Sequence, residues 1–264
     1  MAEKMNETER YYREAINDPY KCMETVKKAP WSIRYAKEQT LELCMEAVQN
    51  DGEVLAYVKE QTPEICMAAV KNCGWALEYV KEQTPEICTA AVKNIEWALE
   101  YVKEQTPDIC MAAINSNGLA LQYVKEQTPE ICMAAVNNIG WALEYVKEQT
   151  PEICMAAVQE NFRAIRFVKE QTPEVCMAAI NEPAKALQYI EHQTPEMFIA
   201  AMKHDSRAVN YISEECAKSL INNVEKRISN RQAVKPEEYY AYQNLTAELE
   251  QINSEVDMNE DFEM

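Results

Sequence analysis

Cysteine and histidine are the side chains that most often hold metals or carry redox and nucleophilic chemistry. This chain has ten of the first and two of the second. Eight cysteines recur every 22 residues, at Cys22, Cys44, Cys66, Cys88, Cys110, Cys132, Cys154 and Cys176. A metal or redox array needs thiols brought together in pairs. No C-x-x-C and no Cys/His pair at metal-ligand spacing is present. One thiol per helical repeat places neighbouring Cα atoms beyond the ~7 Å that a disulfide spans. The pattern predicts a file of small buried apolar side chains, in which Phe198 takes the ninth place. Cys73 stands apart, in a turn, and is the expected reactive thiol. Ten thiols also fit a reducing compartment.

Other chemistry is no better supported. His192 and His204 have no nucleophile placed by a recognised motif, and there is no Walker loop, GxGxxG or HExxH. The Thr-Pro-Glu carboxylates belong to helix starts. We therefore expect no enzyme activity, no cofactor and no metal. A second file, Tyr35, Tyr57, Tyr79, Tyr101, Tyr123, Tyr145, Phe167, Tyr189 and Tyr211, reads as core stacking, since Phe167 dispenses with the hydroxyl. The glutamine before each Thr-Pro, from Gln39 to Gln193, reads as an inter-repeat ladder bonding freed backbone groups.

The positions that vary between copies are the candidates for binding. Position 14 of the repeat holds Trp31, Glu53, Trp75, Trp97, Leu119, Trp141, Arg163, Lys185 and Arg207. A slot that accepts Trp, Glu and Arg is not a sealed core. Trp31, Trp75, Trp97, Leu119 and Trp141 are predicted to line an apolar ridge, which Arg163, Lys185 and Arg207 extend as a basic strip. Exposed aromatics and arginines are what interface hot spots favour. The competing reading lays each Trp, and each Arg or Lys stem, on the neighbouring repeat.

The elements that must position these residues follow from the period. Units begin at residues 18, 40, 62, 84, 106, 128, 150, 172 and 194, each 22 residues from the last, most of them at Thr-Pro. In TPEICMAAVKNCGWALEYVKEQ (62–83), Thr62 suits an N-cap and Pro63 the first helical position. Lys71–Gly74 reads as a turn. A second helix of about ten residues is predicted from Trp75, with Ala76, Leu77, Tyr79 and Val80 on its apolar face. Such short helices are marginal alone and persist only when stacked. The expected fold is all-α, an α-solenoid of nine 22-residue two-helix repeats with helical caps. Residues 1–17 read as an N-terminal capping helix, 18–215 as the repeats and 216–253 as C-terminal helices. In the first of these C-terminal helices, Leu220, Ile221, Val224 and Ile228 share one face. Residues 254–264 read as an acidic, disordered tail.

The net charge is −18, and nine acids without a base fall in 236–264, leaving −9 on 1–235. That balance opposes nucleic-acid binding, which needs clustered Lys and Arg. No apolar run approaches the roughly 20 residues that span a bilayer, and no signal peptide is evident, so a cytoplasmic location is expected. The last helix, with Leu245, Leu249 and Ile252, reads either as a cap or as a homodimer contact.

At the repeated A-A-V-K-N-x-G-W-A-L-x-Y core the chain resembles an uncharacterised tandem-repeat domain of bacterial, phage and giant-virus proteins. Lys71, Asn72, Gly74, Trp75, Ala76, Leu77 and Tyr79 carry the resemblance, which extends over 18–215. It implies an all-helical array and no particular activity. The expectation is a protein–protein interaction scaffold binding another protein along the variable edge. The alternative is an acidic inhibitor or decoy of a host defence or nucleic-acid enzyme.

Overall fold

The structure, a computed structural model, describes residues 7–180 and 184–248. Among these residues there is no strand. They fall into two compact units that divide after Asn138. Each unit is an α-solenoid in which every repeat supplies one α-helix and one 3₁₀ helix. Successive α-helices pack side by side in one layer, and successive 3₁₀ helices in a second layer against it.

Repeat three shows why the residues take these forms. The Thr62 hydroxyl accepts from the Ile65 N–H at 3.4 Å, and Pro63 opens an α-helix that runs Pro63–Asn72. Ile65, Cys66, Ala69 and Val70 are buried, and Ala76, Leu77 and Val80 meet them from the second layer. Removing one such aliphatic side chain from water contributes roughly 1.5–3 kcal/mol, and every repeat does so several times. The cysteine file lies in this core from Cys44 to Cys176, and Phe198 fills the same place at zero exposure.

The second element differs from the sequence expectation. It is a six-residue 3₁₀ helix, Gly74–Tyr79, and not an α-helix of about ten residues. The expected four-residue turn is also shorter. Lys71 and Asn72 complete the α-helix, and only Cys73, in extended backbone, separates the two elements. The reason lies in the neighbouring repeat. Asn72 Oδ1 accepts the Gly52 N–H at 2.8 Å while its Nδ2 donates to the Gln49 carbonyl at 2.8 Å. Asn94 does the same for Gly74 and Lys71. The glycine permits the close approach. A Cβ on Gly52 would lie 2.5 Å from the Ala69 carbonyl oxygen.

A 3₁₀ helix of this length leaves carbonyls and amides without an internal partner, and the glutamines take them up. Gln83 Nε2 donates to the Leu77 carbonyl at 3.3 Å and to the Tyr101 carbonyl of the next repeat at 2.9 Å. Its Oε1 accepts the Lys103 N–H at 2.9 Å. The Cys88 thiol donates to the same oxygen at 3.7 Å, which ties the cysteine file to the glutamine ladder. Gln61 and Gln105 repeat the arrangement in the first unit. Gln149 and Gln171 repeat it in the second.

The ends are closed by related contacts. A helix Glu7–Ala15 precedes the first repeat. Just after it, Asn17 takes the glutamine's role, donating to the Tyr35 carbonyl at 3.0 Å and accepting the Lys37 N–H at 2.9 Å. At the other end the helix Glu214–Ser229 buries Cys216, Leu220 and Val224, but leaves Ile228, in its last turn, 47% exposed. A helix described over 236–248 is joined to it by the Arg227–Glu238 ion pair at 2.6 Å. Leu245 and Ala241 are buried within the chain. Leu249, Ile252 and the 254–264 tail lie outside the described residues.

The glutamine bridge is testable. Gln83→Ala leaves the Leu77 and Tyr101 carbonyls and the Lys103 amide without their side-chain partner, and should lower unfolding free energy by about 1–3 kcal/mol. Urea denaturation followed by circular dichroism measures this. A loss no larger than that of an exposed Lys93→Ala control would refute the assigned role.

Candidate partner-binding face

The 3₁₀ geometry decides which side chains share a surface. Side chains three apart eclipse in such a helix. Gly74 and Leu77 therefore turn inward together, and position 14 stands in line with position 17, as Trp75 does with Glu78. The tyrosine follows at position 18. The face so formed alternates aromatic rings with charged side chains.

In the first unit, Trp75 is half-buried and packs edge-to-face against Tyr101 of the next repeat, with ring centroids 5.8 Å apart. Trp97 is 39% exposed and tilts against Tyr123 at 6.3 Å. Leu119 is half-buried. Each Trp thus both touches its neighbouring repeat and keeps an open side, so the two sequence readings of this slot each describe part of it. Trp31 differs. It is half-buried like Trp75, but Tyr12 meets it edge-on at 5.1 Å and Arg34 lies over it at 5.0 Å.

In the second unit, Trp141 is 41% exposed and packs against Phe167 at 6.1 Å. Arg163 is exposed and lies over its neighbour Phe162 at 4.9 Å. Lys185 is exposed, and Arg207 pairs with Asp205 at 2.7 Å. The basic strip is therefore partly neutralised where it ends.

The tyrosines depart from expectation. They are not core. Tyr57 is 41% and Tyr79 37% exposed, and the rest of the described file is half-buried. Position 17 was not singled out from the sequence at all. It holds Arg34, Ala56, Glu78, Glu100, Gln122, Glu144, Arg166, Gln188 and Asn210, all exposed. Its signal was the spacing of three from position 14, which places it on the same helix face.

Carboxylates shape the field here. The Glu78 carboxylate, with lesser help from burial and Glu53, pushes the Tyr79 hydroxyl above its ordinary value. Burial and then Glu78 and Glu100 do the same to Tyr101. The lysines that might compensate are engaged elsewhere. Lys81 Nζ donates to the Lys59 carbonyl at 2.8 Å, and Lys103 Nζ to the Lys81 carbonyl at 2.9 Å.

A second surface was also missed. Thr89 stands where the adjoining repeats carry Met67 and Met111, and a cleft of about 720 Å³ opens there in the α-helical layer, lined by Met67, Lys71, Glu86, Thr89, Ala90 and Lys93. The shortened side chain at Thr89 was its signal. No three or more His, Cys, Asp or Glu side chains among the described residues are grouped to hold a metal ion. Among the same residues, no helix is long and apolar enough to cross a membrane.

A family model described as a domain of unknown function, DUF4116, matches residues 40–84, 62–106 and 106–149. Over 40–149, then, the chain is similar to an uncharacterised tandem-repeat domain. No curated protein and no solved structure matches the chain.

Two measurements check this description. Cys22 and Cys73 are half-buried and the other eight cysteines are buried. Burial also pushes the thiols of Cys176 and Cys216 up to about 11. A chromogenic thiol reagent near neutral pH should therefore modify two thiols quickly and the remainder only on unfolding, with Cys73→Ser removing one of the two. Rapid modification of all ten in folded protein contradicts the core placement. Independently, Glu78→Gln should bring the Tyr79 hydroxyl back towards its ordinary pKa, because its largest perturbing charge is gone. An ultraviolet pH titration of tyrosinate, compared with Tyr79→Phe, reads the change, and no shift would contradict the placement of that carboxylate.

Proposed function

We propose that the chain is a non-enzymatic interaction scaffold that binds a partner protein along its 3₁₀ face. The observation that carries this reading is the state of Trp75, Trp97 and Trp141. Each ring is braced by an aromatic of the following repeat, edge-on for Trp75 and Trp141 and tilted for Trp97, and is not fully buried. A ring held in this way gives up little conformational entropy on binding, which is what makes rigid aromatics effective anchors. The same face carries the repeat-to-repeat variation, at positions 14 and 17, that lets one framework address a particular partner. A cytoplasmic setting accords with ten cysteines, none of them in a disulfide. The net charge of −18 favours a second reading, an acidic antagonist of a basic, nucleic-acid-handling protein. Strong salt dependence of the complex distinguishes it from a mainly apolar contact.

The test is affinity purification from the native host with wild-type chain and with a Trp75→Ala, Trp97→Ala, Trp141→Ala triple variant. The expected result is a partner held by the wild type and weakened at least tenfold by the variant. A partner retained in full by the folded triple variant removes the 3₁₀ face as the binding edge.

A further inference from the structure

The chain contains its own example of what this face accepts. In repeat one, position 17 is Arg34. Its guanidinium lies 5.0 Å from the Trp31 ring, 4.6 Å from Tyr35 and 5.9 Å from Tyr57 of the next repeat. Its Nη2 donates to the Tyr35 hydroxyl at 2.6 Å and to Glu9 Oε1 at 3.1 Å. The slot is a three-ring cage with a carboxylate at its rim. The second unit holds a simpler case, where Arg166 at the same repeat position lies 5.5 Å from Tyr189 of the following repeat.

Repeats three and four carry the same ring types at the same repeat positions without the cation, although there each Trp meets the tyrosine of the following repeat, whereas Trp31 meets Tyr35 of its own. The repeat equivalents of Trp31, Tyr35 and Tyr57 are Trp75, Tyr79 and Tyr101, and then Trp97, Tyr101 and Tyr123. Trp75 and Tyr101 hold their edge-to-face contact at 5.8 Å, and Trp97 and Tyr123 lie 6.3 Å apart. Where Arg34 would stand, these repeats carry Glu78 and Glu100, both exposed and neither in an ion pair with any described residue. An arginine in repeat one satisfies its own cage. A glutamate at the same place leaves the rings without an internal cation and adds the charge that a guanidinium seeks. Cation–π attraction and a carboxylate then act on one ligand group.

We infer that the cages of repeats three and four bind arginine side chains of a basic partner, taking them in place of the intramolecular Arg34. The inference rests on the proposed binding edge and specifies its chemistry. Adjacent helices pack roughly 8–10 Å apart, and a polyproline II segment advances about 3.1 Å per residue with three residues per turn. Arginines three residues apart on such a segment face the same side about 9 Å apart and therefore reach neighbouring cages. The partner is a protein segment rather than a nucleic acid, since the Glu78 and Glu100 carboxylates beside the rings repel phosphate.

The test uses the full chain and a synthetic peptide with an arginine at every third residue among small neutral residues. Matched peptides carry citrulline or lysine in place of arginine. Binding is followed by tryptophan fluorescence and calorimetry at fixed physiological salt. The arginine peptide should bind, the citrulline peptide should not, and the lysine peptide should bind several-fold more weakly. The decisive variant is Glu78→Arg with Glu100→Arg, which fills both cages with the chain's own guanidinium at exposed positions. It should weaken the arginine peptide at least tenfold while circular dichroism stays unchanged. Absence of binding by the arginine peptide, equal binding by the lysine peptide, or undiminished binding to the double variant overturns the proposal. A native partner separates the two levels. If it is lost with the tryptophan triple variant but kept by Glu78→Arg, Glu100→Arg, the binding edge stands and the arginine proposal falls. If it survives both, the edge reading fails as well.

Discussion

The structure depends on one side-chain amide used in two directions. Each repeat ends in a short 3₁₀ helix whose terminal backbone groups would be left without partners between layers. The glutamine at the end of the repeat donates within its own repeat and to the next, and accepts from the next as well, as Gln83 does with Leu77, Tyr101 and Lys103. A buried backbone group without a partner costs about 1–3 kcal/mol, so the bridge sets the register between repeats as well as holding them. Asparagine at the α-helix end does similar work on the opposite margin, and Asn17 shows that a shorter amide serves at the first repeat. Apolar burial supplies most of the gain, but it is not directional. The amides decide where one repeat sits on another.

This constraint also produces the candidate face. Because the second element is held as a 3₁₀ helix, every third side chain projects together. Leucine and glycine turn to the core, and the Trp and position 17 turn outward beside the tyrosine of the next repeat. The aromatic rings are thus shared across repeat boundaries, and the charge at position 17 determines whether a cage is filled internally, as at Arg34, or rimmed by a carboxylate, as at Glu78. In the middle repeats the ammonium groups of Lys81 and Lys103 are held at backbone carbonyls of the preceding repeat and form no ion pair with these carboxylates.

How far the sequence could be read varied with the range of the interaction. The cysteine file was legible as core because burial of small side chains recurs with the period, and the glutamine ladder was legible because a uniform polar residue at a helix boundary needs a backbone task. The tyrosine file was misread. Regular recurrence looks the same whether a ring is sealed or lies along an edge, and Tyr79 at 37% exposure lies along an edge. The lost turn at Lys71 and Asn72 has a similar origin. Asparagine before glycine suggests a turn locally, whereas here its amide is spent on the neighbouring repeat.

By itself, then, the sequence determined the period, the all-helical class, the α-helix starts at Thr-Pro and the identity of the repeated core, because each is carried by local propensity or by spacing along the chain. Only the tertiary structure decided that the second helix is 3₁₀, that Trp and Tyr from successive repeats meet, and that Glu78 and Glu100 stand where Arg34 stands in its cage. Those depend on hydrogen bonds and ring contacts between residues 18 to 26 positions apart, which no local pattern encodes.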